Sequence, residues 1–152
     1  MSAGRTLYWE DFKVGESVPM GSHTFVEADM IDFARKFDPQ PFHVDPVAAK
    51  DSYFGGLIAS GWHTCAVAMR LLCENYINRS ASLGSPGIDN VRWLKPVHAG
   101  DTISYRRVVL ETRASNSRPD MGLVKSRTEA VNQRGEAVLT FEGWGMFGRR
   151  PG

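Results

Sequence analysis

The stretch Asp38-Pro39-Gln40-Pro41-Phe42-His43-Val44-Asp45-Pro46-Val47-Ala48-Ala49, followed by Gly55-Gly56 and then Ile58-Ala59-Ser60-Gly61-Trp62-His63, decides how the rest of this chain is read. It puts one carboxylate and one imidazole, Asp38 and His43, a few positions apart. Pro39 and Pro41 remove amide donors and push the residues before them toward extended conformations, so a stiff, non-helical loop is expected here. Two titratable groups are thereby held on a short piece of constrained backbone.

Upstream, Met30, Phe33, Ala34 and Phe37 recur at helical spacing, with Asp29, Asp32, Arg35 and Lys36 on the other faces. This pattern predicts an amphipathic helix running into Asp38, with a capping box around Thr24 to Glu27. Downstream, Asp45 before Pro46 is a helix start: the carboxylate accepts from free amides and the proline occupies the first turn. Tyr53-Phe54-Gly55-Gly56 ends that helix early. From about Gly61 to Ile77, Trp62, Cys65, Ala66, Val67, Ala68, Met69, Leu71 and Leu72 leave almost no polar face, which predicts a helix wrapped by other elements.

Strand-like runs supply the wrapping. They cover Ser17 to His23, then Ile88 to Lys95, Thr102 to Thr112, Leu123 to Asn132 and Glu136 to Phe147. Lys125, Arg127 and Glu129 alternate with Val124, Ser126, Thr128 and Ala130, giving one wet and one dry face. The change of phase from Leu139 and Phe141 to Trp144 and Met146 predicts a bulge at Gly143. The expected architecture is α+β, an antiparallel sheet of about five strands around one long helix. No internal repeat or linker interrupts it, so residues 1–152 are read as one domain.

Charge narrows the partners. The 152 residues carry 18 Lys+Arg against 17 Asp+Glu, a net charge of +1, so no chain-wide positive field is available for nucleic acid or an anionic membrane. Met1 to Glu16 lacks the apolar stretch of a secretory signal, and the uncharged run Ser52 to Met69 is too polar to span a bilayer. A soluble, cytoplasmic protein is the expectation. Cys65 and Cys73 sit about 12 Å apart along one helix and are read as reduced core residues.

The loop Asp38 to Asp45 resembles the hydratase motif of the MaoC-like dehydratase and (R)-specific enoyl-CoA hydratase family. That motif has Asp, any residue, Asn, Pro, an aliphatic residue and His. The likeness continues through Ala48, the glycine at the start of the long helix, and the segment Asn90-Val91-Arg92-Trp93-Leu94-Lys95-Pro96-Val97-His98-Ala99-Gly100-Asp101. Gln40 stands where the motif has Asn, Phe42 where it has an aliphatic residue, and Ser60-Gly61 where many members have His-Gly. The resemblance implies a hot-dog fold, a homodimer or larger assembly, and hydration of a trans-2-enoyl thioester to the (R)-3-hydroxyacyl thioester. Coenzyme A would then be part of the substrate, with no metal or other cofactor.

Such a reaction needs a base for water, an acid for the carbon alpha to the carbonyl, and donors for the oxygen that becomes negative. The resemblance implies that Asp38 and His43 are the catalytic pair and hold one water between them, with either able to be the base. Their reference pKa values are about 3.9 and 6.5, and partial burial is expected to move the carboxyl upward. The Gly61 amide is the expected oxyanion donor, since free amides and the helix dipole favour negative charge there. Gln40, Phe42, Tyr53, Phe54, Ser60 and Trp62 are the expected substrate contacts.

The alternatives are a thioesterase on the same fold and a silent acyl-thioester-binding subunit. His63 is read as a core or pocket-wall residue, and His23, His43, His63 and His98 show no metal-ligand spacing. Gly143 to Gly148 matches the letters of a dinucleotide fingerprint, but it lies in the final strand with no helix to follow.

Overall fold

The computed structural model describes residues 5–152; Met1 to Gly4, part of the loose start, lie outside the described residues. Five strands form: β1 (Ser17–Thr24), β2 (Gly87–Trp93), β3 (Thr102–Ala114), β4 (Met121–Val131) and β5 (Ala137–Gly148). They lie in the order β1-β3-β4-β5-β2, every neighbouring pair antiparallel. In β4 the expected alternation holds, with Val124, Thr128 and Ala130 buried between partly exposed Lys125, Arg127 and Glu129. The β4–β5 hairpin closes where Asn132 and Glu136 bond to each other, with Gly135 at a φ of 76°.

No bulge occurs at Gly143. The β4–β5 register runs unbroken from Met121↔Gly148 to Ala130↔Leu139. Leu139, Phe141, Gly143, Gly145 and Phe147 are alternate residues on one face, and the two glycines among them leave the inward positions blank, so the hydrophobic phase only looks shifted. Register shifts fall elsewhere, between Ala130 and Val131 in the β4–β5 pair and between Asp89 and Arg92 in edge strand β2.

The long helix α4 (Gly61–Asn75) lies on the sheet. Val67, Ala68 and Leu72 join Ile103, Tyr105, Ala130, Leu139 and Phe141 in the main core. The expectation of a helix without a wet side fails. Trp62 and Met69 are about half exposed, and Arg70 and Glu74 pair at 3.1 Å on the outer side. Within one chain the sheet covers only one side of this helix.

Three shorter helices bring the Asp38 segment to the start of α4. Helix α1 (Glu27–Phe37) buries Met30 and Ala34, and Phe33 stacks on His63 of α4 with centroids 4.6 Å apart and planes 9° from parallel. Its predicted capping box is absent: Val26 is the N-cap residue and makes no side-chain cap. Thr24 pairs with Thr102 across β1 and β3, and the two hydroxyls lie 2.7 Å apart.

The Asp38 segment is also not wholly non-helical. Pro41–Val44 forms the single turn α2 with Pro41 in its first position, where a proline has no intrahelical donor to lose. Helix α3 (Pro46–Lys50) begins as expected, Asp45 Oδ1 accepting from the Val47 and Ala48 amides at 3.0 and 3.2 Å. Asp45→Ala is therefore expected to lower stability by about 1 kcal/mol. Urea denaturation measures this, and an unchanged midpoint would remove the capping role.

Candidate active site

Asp38 is the C-cap of α1, its amide donating to Ala34 O at 2.7 Å. The turn through Pro39 and Gln40 leads into α2, which carries His43. The His43 Nε2 lies 3.2 Å from Asp38 Oδ2, and the two side chains are only 6% and 16% exposed. His43 Nδ1 is 2.7 Å from the Ile58 carbonyl oxygen. A carbonyl only accepts, so Nδ1 carries the hydrogen, and Nε2 faces the carboxylate, a contact that is favourable when a proton sits on Nε2 or a water lies between the two groups. The pair is thus arranged to hold a proton between the two side chains, or to share one through a water.

Asp38 is fixed on both oxygens. Its Oδ1 accepts from Gln40 Nε2 at 2.7 Å, and its Oδ2 accepts from Ser60 Oγ at 2.7 Å. The upward pKa expected for Asp38 is corrected by this geometry. Burial is the largest single influence and does push the carboxyl upward, but the hydrogen bonds from Gln40 and Ser60 and the nearby His43 together outweigh it. The net direction is downward, so Asp38 is ionised at neutral pH.

The start of α4 faces the same place. Ser60 Oγ accepts from the Trp62 amide, and Ser60 O accepts from the His63 and Thr64 amides. The Gly61 amide, in contrast, has no acceptor among the described residues. It is an open donor at the positive end of a four-turn helix.

These groups border a cleft of about 400 Å³ lined by Asp38, Gln40, Phe42, His43, Phe54, Gly61 and Trp62, with Trp93, Leu94 and Val138 among its apolar walls. Two expected contacts are not in it. Tyr53 is 97% exposed and turned to solvent, because it lies in the turn after α3 rather than in a packed element. Ser60 is 1% exposed and lies behind Asp38, where it positions the carboxylate.

Sequence reasoning missed two participants. The Ile58 carbonyl, which orients His43, carries no side-chain signal at all. Trp93 does carry one, because it stands in a strand run beside Pro96 in the segment that resembles the family. His63 is a packed residue as expected, 9% exposed between Phe25 and Phe33. Burial lowers its pKa, nearby His23 lowers it further, and Asp29 opposes both.

An antiparallel sheet packed on a long central helix is a hot-dog domain. Residues 11–131 match the model of the MaoC-like domain, and the chain belongs to this family. It is similar in structure to a MaoC-like dehydratase from Rhodospirillum rubrum, with a TM-score of 0.86 and 39% identity, covering 95% of this chain and 99% of that one. In sequence it is 28% identical over 134 residues to the uncharacterized protein YdeM of Bacillus subtilis, covering 88% of this chain and 92% of YdeM. A mesaconyl-CoA hydratase of Cereibacter sphaeroides is 44% identical over 59 residues, which cover 39% of this chain and 17% of that protein.

The role of Ser60 is testable through pH. A carboxyl held below its unfolded value stabilises the fold above that value, and the contribution is lost as pH falls through the folded value. Ser60→Ala removes one of the bonds that lower Asp38, so the Asp38 titration is expected to move upward in carboxyl-carbon NMR. An unchanged titration would contradict the assignment.

Proposed function

We propose that this protein hydrates a trans-2-enoyl-CoA to the (R)-3-hydroxyacyl-CoA, or runs the reverse elimination. The observation that carries this is the 3.2 Å contact between Asp38 Oδ2 and His43 Nε2 beside the unpartnered Gly61 amide. Water held by the pair attacks C3 of the conjugated thioester. Its proton passes to the pair and is returned at C2, so one water adds across one double bond and the catalyst ends as it began. Negative charge gathers meanwhile on the thioester oxygen, where the Gly61 amide and the dipole of α4 stabilise it.

The apolar walls Phe42, Phe54 and Trp62 suit an acyl group, and Gln40 serves by holding Asp38. The proposed chemistry calls on side chains and one backbone amide alone, so coenzyme A enters only as part of the substrate. Assembly as a homodimer is part of the same proposal. Strand β2 is a sheet edge, and Ile88, Trp93 and Leu94 on and beside it, with Trp62 and Met69 on α4, are each close to half exposed. The cytoplasm, where acyl-CoA is made and used, is the location this reaction implies. No helix among the described residues is long and apolar enough to cross a membrane.

Crotonyl-CoA tests the proposal. Loss of the conjugated absorbance without free thiol is the expected result. Thiol release would favour a thioesterase, and binding without either change would favour a silent subunit. Asp38→Asn and His43→Ala should each lower kcat/KM by about 10²- to 10⁴-fold with the fold intact by circular dichroism. Full activity in either variant would remove the pair from the mechanism.

A further inference from the structure

The irregular edge of the sheet aims an aromatic ring at the glycine of the site. Strand β2 pairs with β5 as Asp89↔Glu142 and resumes as Arg92↔Thr140, so β2 accommodates one residue more than its partner in this interval. Asn90, inside the interval, has a φ of 53°, in the left-handed region that asparagine enters more readily than most residues. A bulge of this kind re-aims the side chains that follow it. Trp93 then stands opposite Leu139, a fully buried core residue, and points to the helix side of the sheet.

There the Trp93 indole lies against Gly61. A Cβ placed on Gly61 would stand 2.4 Å from both Cε2 and Nε1 of the ring, closer than any side chain tolerates. Trp62 braces the indole edge-on, with centroids 5.3 Å apart. Both rings line the cleft that holds Asp38 and His43, yet Trp93 is 47% exposed, so neither ring is simply core. With a thioester oxygen bonded to the Gly61 amide, the acyl C2 is only one bond from the carbonyl carbon, so it lies close to this glycine, in the cleft that Trp93 lines together with Asp38 and His43.

We propose that Trp93 is a specificity-determining residue that limits the bulk tolerated at C2 of the acyl group. This rests on the hydratase function proposed above and on Gly61 as the oxygen site. A wall that leaves no room for a methyl on Gly61 also restricts a methyl on the neighbouring acyl carbon. Trimming the ring should relieve that restriction selectively, because one added methyl group in a tight apolar pocket changes relative rates by about 10- to 200-fold.

The test compares crotonyl-CoA with 2-methylcrotonyl-CoA, two thioesters that differ only by the C2 methyl. In Trp93→Ala, the ratio of kcat/KM for the branched over the unbranched substrate is expected to rise at least tenfold relative to wild type, with Trp93→Phe in between. A ratio unchanged in both variants, even with both rates lowered, would assign Trp93 to general packing and overturn the proposal. Dissociation constants for the same two thioesters, measured by calorimetry in an Asp38→Asn background with and without Trp93→Ala, give a readout independent of turnover. If wild type hydrates neither thioester, the proposed activity falls, but a tenfold shift in the binding ratio still supports the wall. An unshifted binding ratio, or no binding of either thioester, overturns it.

Discussion

One hydroxyl joins the parts of this site. Ser60 Oγ accepts from the Trp62 amide in the first turn of α4 and donates to Asp38 Oδ2, so the carboxylate is positioned from the start of the central helix. The helix is in turn held by Val67, Ala68 and Leu72 against the sheet. The order of dependence runs from core to helix to hydroxyl to carboxylate, and each step restricts the next. A catalytic group held through buried, fully bonded partners needs little rearrangement when it reacts.

The electrostatic design follows from the same contacts. Asp38 is enclosed, which alone would favour its neutral form, yet its donors hold it ionised. His43 is enclosed with its Nδ1 hydrogen committed to the Ile58 carbonyl, which leaves Nε2 as the atom free to take or give a proton. The carboxylate and Nε2 then face one position, beside an unused amide at a helix N-terminus. That arrangement supplies both signs of stabilisation that water addition to a conjugated thioester requires.

Much of this was legible in the sequence because it was written in patterns with a period or a fixed chemistry. The five strands followed from alternation and turn residues, and α3 followed from Asp45-Pro46. Asp38, His43 and Gly61 stand out because their joint spacing around the prolines and the helix start resembles the family motif. What escaped depends on the third dimension. The two inward glycines of β5 imitate a phase shift, and the irregularity at Asn90 sits in an exposed strand with little hydrophobic signal. Pro41 excludes the interior of a helix but suits its first position, so α2 was hidden by the residue that begins it. Ser60 was placed beside the substrate by its neighbours in sequence, whereas burial makes it a support for Asp38, and Tyr53 has no packed element to carry it inward. The sign of the Asp38 shift could not be had from burial alone, because Ser60 comes to the carboxylate from 22 residues further along the chain.

In the mechanism we propose, water held between Asp38 and His43 is delivered to the third carbon of an enoyl thioester. Incubation of crotonyl-CoA with the protein in ¹⁸O-labelled water, followed by mass spectrometry, tests it most directly. One labelled oxygen in the 3-hydroxyl group of an intact 3-hydroxybutyryl-CoA is the expected result. Label in the carboxylate of free crotonate, with coenzyme A released, would contradict it.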